Sequence, residues 1–376
     1  MAHLTDRRKT MTNIGIVGVG DISGIYLKNI TETFKELNIV AVCDLIKERA
    51  LKAQEKYNIP KVYDTMEELF ADESIELVLN ITRPCEHFAV SKGALEAGKH
   101  VYSEKPLAAS LEEGKELVAL AESKGLMIGG APDTFLGASI QTCIKFIDEG
   151  NLGEVIGASA SMMGHGPESW HHDPEFFYKY GGGPMMDMGP YYITTLINLL
   201  GGIKSVSGVA RKSFDNRTAT CKEHNGEIIT VDVPTFLTGV LHFESGIIGT
   251  ITTTFDVYKS NQRNIEIYGS KGTLFVPDPN CFGNEITYFD GETNETKVIP
   301  ICFDYAENSR GLGLADFAKA LKTGRNSKTT YRQTLHVLEV MQAFVNSGEE
   351  GKTTEIKSAF TREAPMPQNN IHGILD

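Results

Sequence analysis

Along the first third of the chain, short apolar runs alternate with longer stretches in which apolar residues recur at helical spacing. Residues 14–17, 39–43, 77–81, 100–102 and 126–128 read as strands, and 47–57, 86–97 and 111–123 as amphipathic helices with charges opposite the apolar stripe. Strands that are nearly all apolar and separated by helices predict a parallel sheet covered on both faces. From Glu154 onward the texture changes to longer runs rich in Ile, Val, Thr, Phe and Gly. Residues 206–212, 227–243, 247–258, 261–268 and 273–276 predict a largely antiparallel sheet, with turns at 244–246 and 270–272. Residues 184–200, 312–321 and 332–345 predict helices against it. Gly129-Gly130-Ala131-Pro132 punctuates the change. The expectation is an α/β protein with a doubly wound parallel sheet in residues 12–131. Residues 132–376 form a second α/β domain on a large, open, mostly antiparallel sheet.

The first strand runs into Gly18-Val19-Gly20-Asp21-Ile22-Ser23, and a helix follows. This is the context of a dinucleotide fingerprint. Gly18 permits the tight turn, Gly20 lets the backbone approach a pyrophosphate, and the small Ser23 allows close helix packing. Unpaired N–H groups at the helix start favour an anion. Asp44 closes the second strand, where a carboxylate can accept from a ribose diol. A carboxylate repels a 2′-phosphate, and Leu45 offers no charge to neutralise one, so NAD is expected in preference to NADP. The competing reading of Asp44 is a cap on the next helix, and Lys47 or Arg49 could swing toward a phosphate.

The chain has 376 residues and a formal charge of −13, long enough for two domains and too acidic for a nucleic-acid binder with a basic face. No window approaches a membrane span, since even 191–203 is broken by Thr194, Thr195 and Asn198. Residues 1–11 read as a loose leader without the apolar stretch of a secretory signal. Six scattered cysteines lack the paired spacing of a zinc site and read as free thiols in a reducing cytoplasm.

Three further segments carry a family pattern: Asn80-Ile81-Thr82-Arg83-Pro84 with His87; Ala97-Gly98-Lys99-His100-Val101-Tyr102-Ser103-Glu104-Lys105-Pro106; and Gly181-Gly182-Gly183-Pro184-Met185-Met186-Asp187-Met188-Gly189-Pro190-Tyr191-Tyr192. The chain resembles the glucose–fructose oxidoreductase, inositol dehydrogenase and rhizopine-catabolism (Gfo/Idh/MocA) family over nearly its whole length. The resemblance implies an N-terminal Rossmann domain, a C-terminal open-sheet domain, and an active site in the cleft between them. It makes Lys105 the catalytic lysine and Asp187 the acid at the substrate hydroxyl. It places Thr82, Pro84, His87, Glu104 and Lys105 with Gly18, Gly20, Asp21, Ile22, Ser23 and Asp44 around the cofactor. Many members carry His four residues after the acid, whereas this chain has Tyr191. Arg83 stands where the family usually has proline. The resemblance also implies a cis Lys105–Pro106 bond.

Oxidising a secondary alcohol needs a base at the hydroxyl and an oriented nicotinamide. Asp187 and Tyr191, four apart, share a helix face. A buried lysine beside an oxidised nicotinamide is expected to have its pKa lowered and to form a proton relay with Tyr191. The only tryptophan, Trp170, suits a sugar ring, and His172 a hydroxyl; both are expected at the substrate. Zinc on His171, His172 and Asp173 is disfavoured, because adjacent side chains diverge, and no metal is expected. The leading reading is an NAD-dependent dehydrogenase of a sugar, polyol or related cyclic alcohol. Alternatives are tightly held NAD used for redox-neutral glycoside cleavage or epimerisation, and a non-catalytic nucleotide sensor. An open sheet with few helices predicts a homodimer or homotetramer.

Overall fold

The apolar runs of the first third pair side by side in the computed structural model of the chain, which describes residues 11–368 and 371–375. Apart from Met11, the expected leader lies outside the described residues. Six strands, β1 (Thr12–Val17), β2 (Leu37–Cys43), β3 (Lys61–Tyr63), β4 (Leu77–Asn80), β5 (His100–Ser103) and β6 (Ile128–Gly130), form one parallel sheet in the order β3-β2-β1-β4-β5-β6. Helices α1 (Ser23–Glu32), α2 (Lys47–Tyr57), α3 (Met66–Ala71), α4 (His87–Glu96) and α5 (Leu111–Ser123) connect them. Ile14, Ile16, Leu77, Val78 and Leu79 are fully buried, as strands covered on both faces require. The helix α5 starts with a capping box, in which Ser110 Oγ accepts from Glu113 N–H and Glu113 reaches back to Ser110 N–H. Strand order reverses between β1 and β4, so a crevice opens at the carboxyl ends of those two strands.

After α6 (Ala138–Asp148), a nine-stranded sheet assembles in the order β16-β15-β14-β13-β7-β12-β11-β8-β17. Its strands are β7 (Val155–Met163), β8 (Ile203–Arg211), β11 (Phe236–Phe243), β12 (Ile248–Thr254), β13 (Ile265–Gly269), β14 (Gly272–Val276), β15 (Ile286–Asp290), β16 (Glu295–Ile299) and β17 (Thr354–Glu355). Only β7 and β12 pair in parallel within it. Helices α7 (Pro184–Leu200) and α9 (Tyr331–Glu350) cover one face. The other face carries Thr238, Val240, Thr250 and Thr252 in register beside the exposed Val209 and Ile248.

Two expected features change. The run 227–243 is not one strand, because Pro234 has no N–H to offer a ladder. Its first part becomes β10 (Ile228–Thr230), which pairs with β9 (Asn216–Thr218) as a separate ribbon, and the main sheet resumes at Phe236. The strand expected at 126–128 moves to β6, which takes in the glycine pair before Pro132, and a Cβ on Gly129 would collide with the main-chain oxygen of Thr329. Helix α8 (Leu312–Thr323) returns to this first sheet, and Phe317 meets Tyr102 edge-on with ring centroids 5.8 Å apart. Helix α9 runs past its expected end and stops at Gly351, whose φ of 64° suits a helix cap. No described helix is long and apolar enough to cross a membrane. All six cysteines are free.

Candidate active site

The glycine loop lies at the end of β1. Gly18 has φ 99°, and a Cβ there would sit 2.8 Å from the Ile81 carbonyl oxygen, so the position needs glycine. Nothing lies within 4 Å of a Cβ built on Gly20, which leaves that side open to a ligand. Ser23 Oγ donates to Gly20 O at 2.6 Å and closes the turn, while α1 starts at Ser23 with no side-chain cap. Ser23 N–H also donates to Gly20 O, at 3.1 Å, and the open side of the turn at Gly20 fits a pyrophosphate. Asp44 accepts from Val19 N–H at 2.5 Å and from Ile46 N–H at 2.7 Å, which braces the loop from the end of β2. Leu45 is fully exposed. Lys47 is held 2.5 Å from Asp64, so it is engaged elsewhere.

The turns after β4 and β5 complete this wall. Thr82 donates through N–H and Oγ1 to Asn80 Oδ1, and Pro84 opens a short helical turn before α4. His87 is buried, with Nδ1 2.7 Å from Pro106 O and Nε2 3.1 Å from Thr82 O. Burial lowers its pKa and favours a neutral ring, which can donate to only one of these two carbonyl oxygens. Glu104 accepts from the Tyr26 hydroxyl at 2.7 Å and from Lys105 N–H at 2.9 Å, so it positions the lysine. The Lys105–Pro106 bond is cis, as is Ala131–Pro132.

Lys105 reaches across to α7. Its Nζ donates to Asp187 Oδ1 at 2.7 Å and Asp187 O at 2.6 Å, and it lies 5.1 Å from the centre of the Tyr191 ring. The two helix residues share a face because they are one turn apart. Arg310 is held by Asn280 and Asn308, and its charge favours the ionised form of Tyr191. The lysine pKa is not lowered. Burial pushes it down, but the Asp187 carboxylate, with Tyr191 and Glu104, outweighs burial and holds it above its ordinary value. Burial raises the Tyr191 pKa, against the opposing pull of Lys105. In this arrangement Lys105 is an ammonium and Tyr191 a phenol at neutral pH.

Trp170 and His172 lie on the loop after β7. Trp170 is 69% exposed and meets Phe177 edge-on at 6.3 Å. His172 turns to the glycine loop, with Nδ1 3.4 Å from Asp21 Oδ2; His171 Nε2 lies 3.5 Å from the same oxygen. The neighbouring rings do not diverge. They stack with centroids 4.8 Å apart, and three possible ligand atoms of Asp21, His171 and His172 lie within 4.8 Å of one another. His171 Nδ1 accepts from Asp173 N–H at 3.0 Å, which puts the neutral ring's proton on Nε2, facing the carboxylate. That tautomer suits a polar contact with Asp21 rather than a metal ligand. Arg83, in the family's proline position, pairs with Asp173. Nothing local in the sequence announces this pair, since it depends on two loops far apart in the chain.

A family model described as an oxidoreductase family with an NAD-binding Rossmann fold matches residues 12–130, and the family's C-terminal domain matches 140–275. The chain belongs to the Gfo/Idh/MocA family. Among its relatives is trans-1,2-dihydrobenzene-1,2-diol dehydrogenase of Bos taurus, 27% identical over 82% of this chain and 86% of that protein. Another Gfo/Idh/MocA relative, D-xylose 1-dehydrogenase (NADP(+)) 2 of Haloferax volcanii, is 23% identical over 91% of this chain and 99% of that one. A solved levoglucosan dehydrogenase in complex with NADH and levoglucosan superposes with TM-score 0.77 at 19% identity, covering 92% of this chain and 99% of that one. Fold and family therefore agree: this is a Gfo/Idh/MocA oxidoreductase with a dinucleotide-binding Rossmann domain.

Proposed function

We propose that the chain is an NAD-dependent dehydrogenase of a sugar, polyol or related cyclic alcohol. The observation that carries this reading is the Lys105–Asp187 contact, 2.7 Å between Nζ and Oδ1 and partly open to solvent, with the two side chains 15% and 25% exposed. It joins the turn after β5 to α7. The relatives' names, sugar and dihydrodiol dehydrogenases, support a cyclic substrate with neighbouring hydroxyls.

A bound dinucleotide would be held by Gly18, Gly20, Ile22, Ser23 and Asp44, and it supplies hydride transfer. The chain's own residues supply the proton. Asp187 orients the substrate oxygen and anchors the Lys105 ammonium, whose remaining N–H points a donor at that oxygen. Carbonyl reduction uses this proton directly. Alcohol oxidation returns it once Lys105 has lost its own proton, with Tyr191 donating a second hydrogen bond. A screen for NADH fluorescence over sugars, polyols and their keto forms tests the reading. Turnover on at least one cyclic substrate is the expected result; dinucleotide binding without turnover on any of them would count against it.

The threonine- and valine-bearing face of the nine-stranded sheet supports a homodimer or homotetramer formed through it. Light scattering at micromolar concentration should give a multiple of the 41.2 kDa chain. A monomer mass would remove this proposal.

A further inference from the structure

One segment of the second domain spans both loops that flank the cofactor crevice. His171 and His172 face Asp21 in the loop after β1. One residue further, Asp173 pairs with Arg83 in the loop after β4, and the Arg83 guanidinium lies 5.6 Å from the centre of the Phe176 ring. Strands β1 and β4 are the neighbours at which the sheet order reverses. Residues 170–176 thus roof the crevice where a dinucleotide lies.

The two attachments of this roof differ in strength. On its own domain it is fixed by the buried Arg217, which donates to Glu168 Oε1 at 2.7 Å, Asp256 Oδ1 at 3.1 Å and His165 O at 2.5 Å. The Tyr178 hydroxyl donates to the other Glu168 oxygen, and the N–H groups of Thr220 and Cys221 donate to Glu168 O at 2.9 Å. Toward the Rossmann domain the contacts are one ion pair, Arg83 with Asp173, and the looser approach of the two imidazoles to Asp21, with side-chain exposures of 60% for Arg83, 49% for His172 and 69% for Asp21. Such pairs contribute little individually and are screened by salt, so they can open while the anchor holds. The charge pattern fits the same use. Asp21 puts a carboxylate beside an anion cradle, where it repels phosphate, and the N–H on His171 Nε2 faces that carboxylate and draws it toward the roof.

We propose that residues 170–176 are a clasp that retains the dinucleotide, with His171, His172, Asp173 and Arg83 setting its release. The proposal rests on the dinucleotide-binding reading. The clasp closes after the cofactor enters, so its loss changes dissociation more than association.

The test is stopped-flow displacement of bound NADH by excess NAD, with NADPH run in parallel. Arg83→Ala and the double variant His171→Ala/His172→Ala should each release reduced cofactor about tenfold faster, with association changed much less. The unaltered protein should also release it faster at about 0.5 M salt. The charge swap Arg83→Asp with Asp173→Arg should restore slow release. Unchanged release in both alanine variants, with binding intact, overturns the clasp. A swap that releases as fast as Arg83→Ala overturns the Arg83–Asp173 element. Failure of the unaltered chain to bind NADH or NADPH would instead overturn the dinucleotide reading itself.

Discussion

On the Rossmann side of the cleft, the groups proposed to meet a ligand are largely main chain, at a turn that glycine alone allows at position 18 and that lies open beside Gly20. On the opposite side they are side chains, Asp187, Tyr191, Trp170 and His172, delivered by one helix and one loop. A wall of backbone tolerates varied neighbours as long as the turn is kept. A wall of side chains changes its chemistry with each replacement, as Tyr191 in place of a histidine illustrates. Lys105 is the piece of the first wall that crosses to the second, and breaking it should have the largest consequence. Lys105→Met keeps the apolar stem and deletes the charge, and single-turnover hydride transfer should fall by about 10²–10⁴-fold. Dinucleotide affinity, set by the main-chain wall, should change far less. A near-normal rate would place the proton-transfer group elsewhere, at Asp187 or His172.

The same contrast explains what could be read from the sequence. Helix periods and apolar strands are local, so 47–57, 111–123 and 184–200 match α2, α5 and α7. The glycine fingerprint is also local, because its function resides in consecutive residues. Strand β3 and helix α3, at three and six residues, are too short to show a period. The protonation of Lys105 was misread because the sequence gives burial without its compensation; the carboxylate that reverses the shift lies 82 residues away. The approach of His172 to Asp21 is hidden in the same way, because nothing in Trp170-His171-His172 reveals that the loop turns toward the glycine loop.

Behind the cleft, Asp133 ties the segment after β6 to the start of α8. It is 1% exposed and accepts from the N–H groups of Gly311 and Gly313, at 2.9 and 3.0 Å, at the start of α8. Burial raises its pKa from 3.8 to about 6, against the pull of those N–H groups and of Arg310. A raised pKa means that the fold favours the protonated acid. The stabilisation is complete below the unfolded value and is lost as pH rises through about 6. Asp133→Asn is neutral throughout and escapes this loss. Relative to the unaltered protein, the variant should gain about 2 kcal/mol of stability between pH 4 and pH 8. Urea unfolding at both pH values measures the difference. A gap that does not change with pH would mean that Asp133 ionises as easily in the fold as outside it.

The smallest effect concerns the edge of the main-chain wall, where the proposed preference for NAD rests on one side chain. Asp44 already accepts from Val19 and Ile46 N–H groups, so its carboxylate is held at the end of β2 and cannot swing away from a 2′-phosphate. Lys47, the nearby cation, is committed to Asp64. Replacing Asp44 with Ser and Leu45 with Arg removes the repulsion and adds a fully solvated guanidinium that can pair with the phosphate. Affinity for both dinucleotides should drop slightly, because a serine hydroxyl cannot brace both N–H groups as the carboxylate does. The ratio is the informative quantity: NAD should bind more tightly than NADP to the unaltered protein, and the ratio should move by about tenfold toward NADP in the double variant. Calorimetry with both cofactors reads it directly. Equal affinity in the unaltered protein would show that Asp44 serves the loop alone and leaves the choice of dinucleotide to other residues.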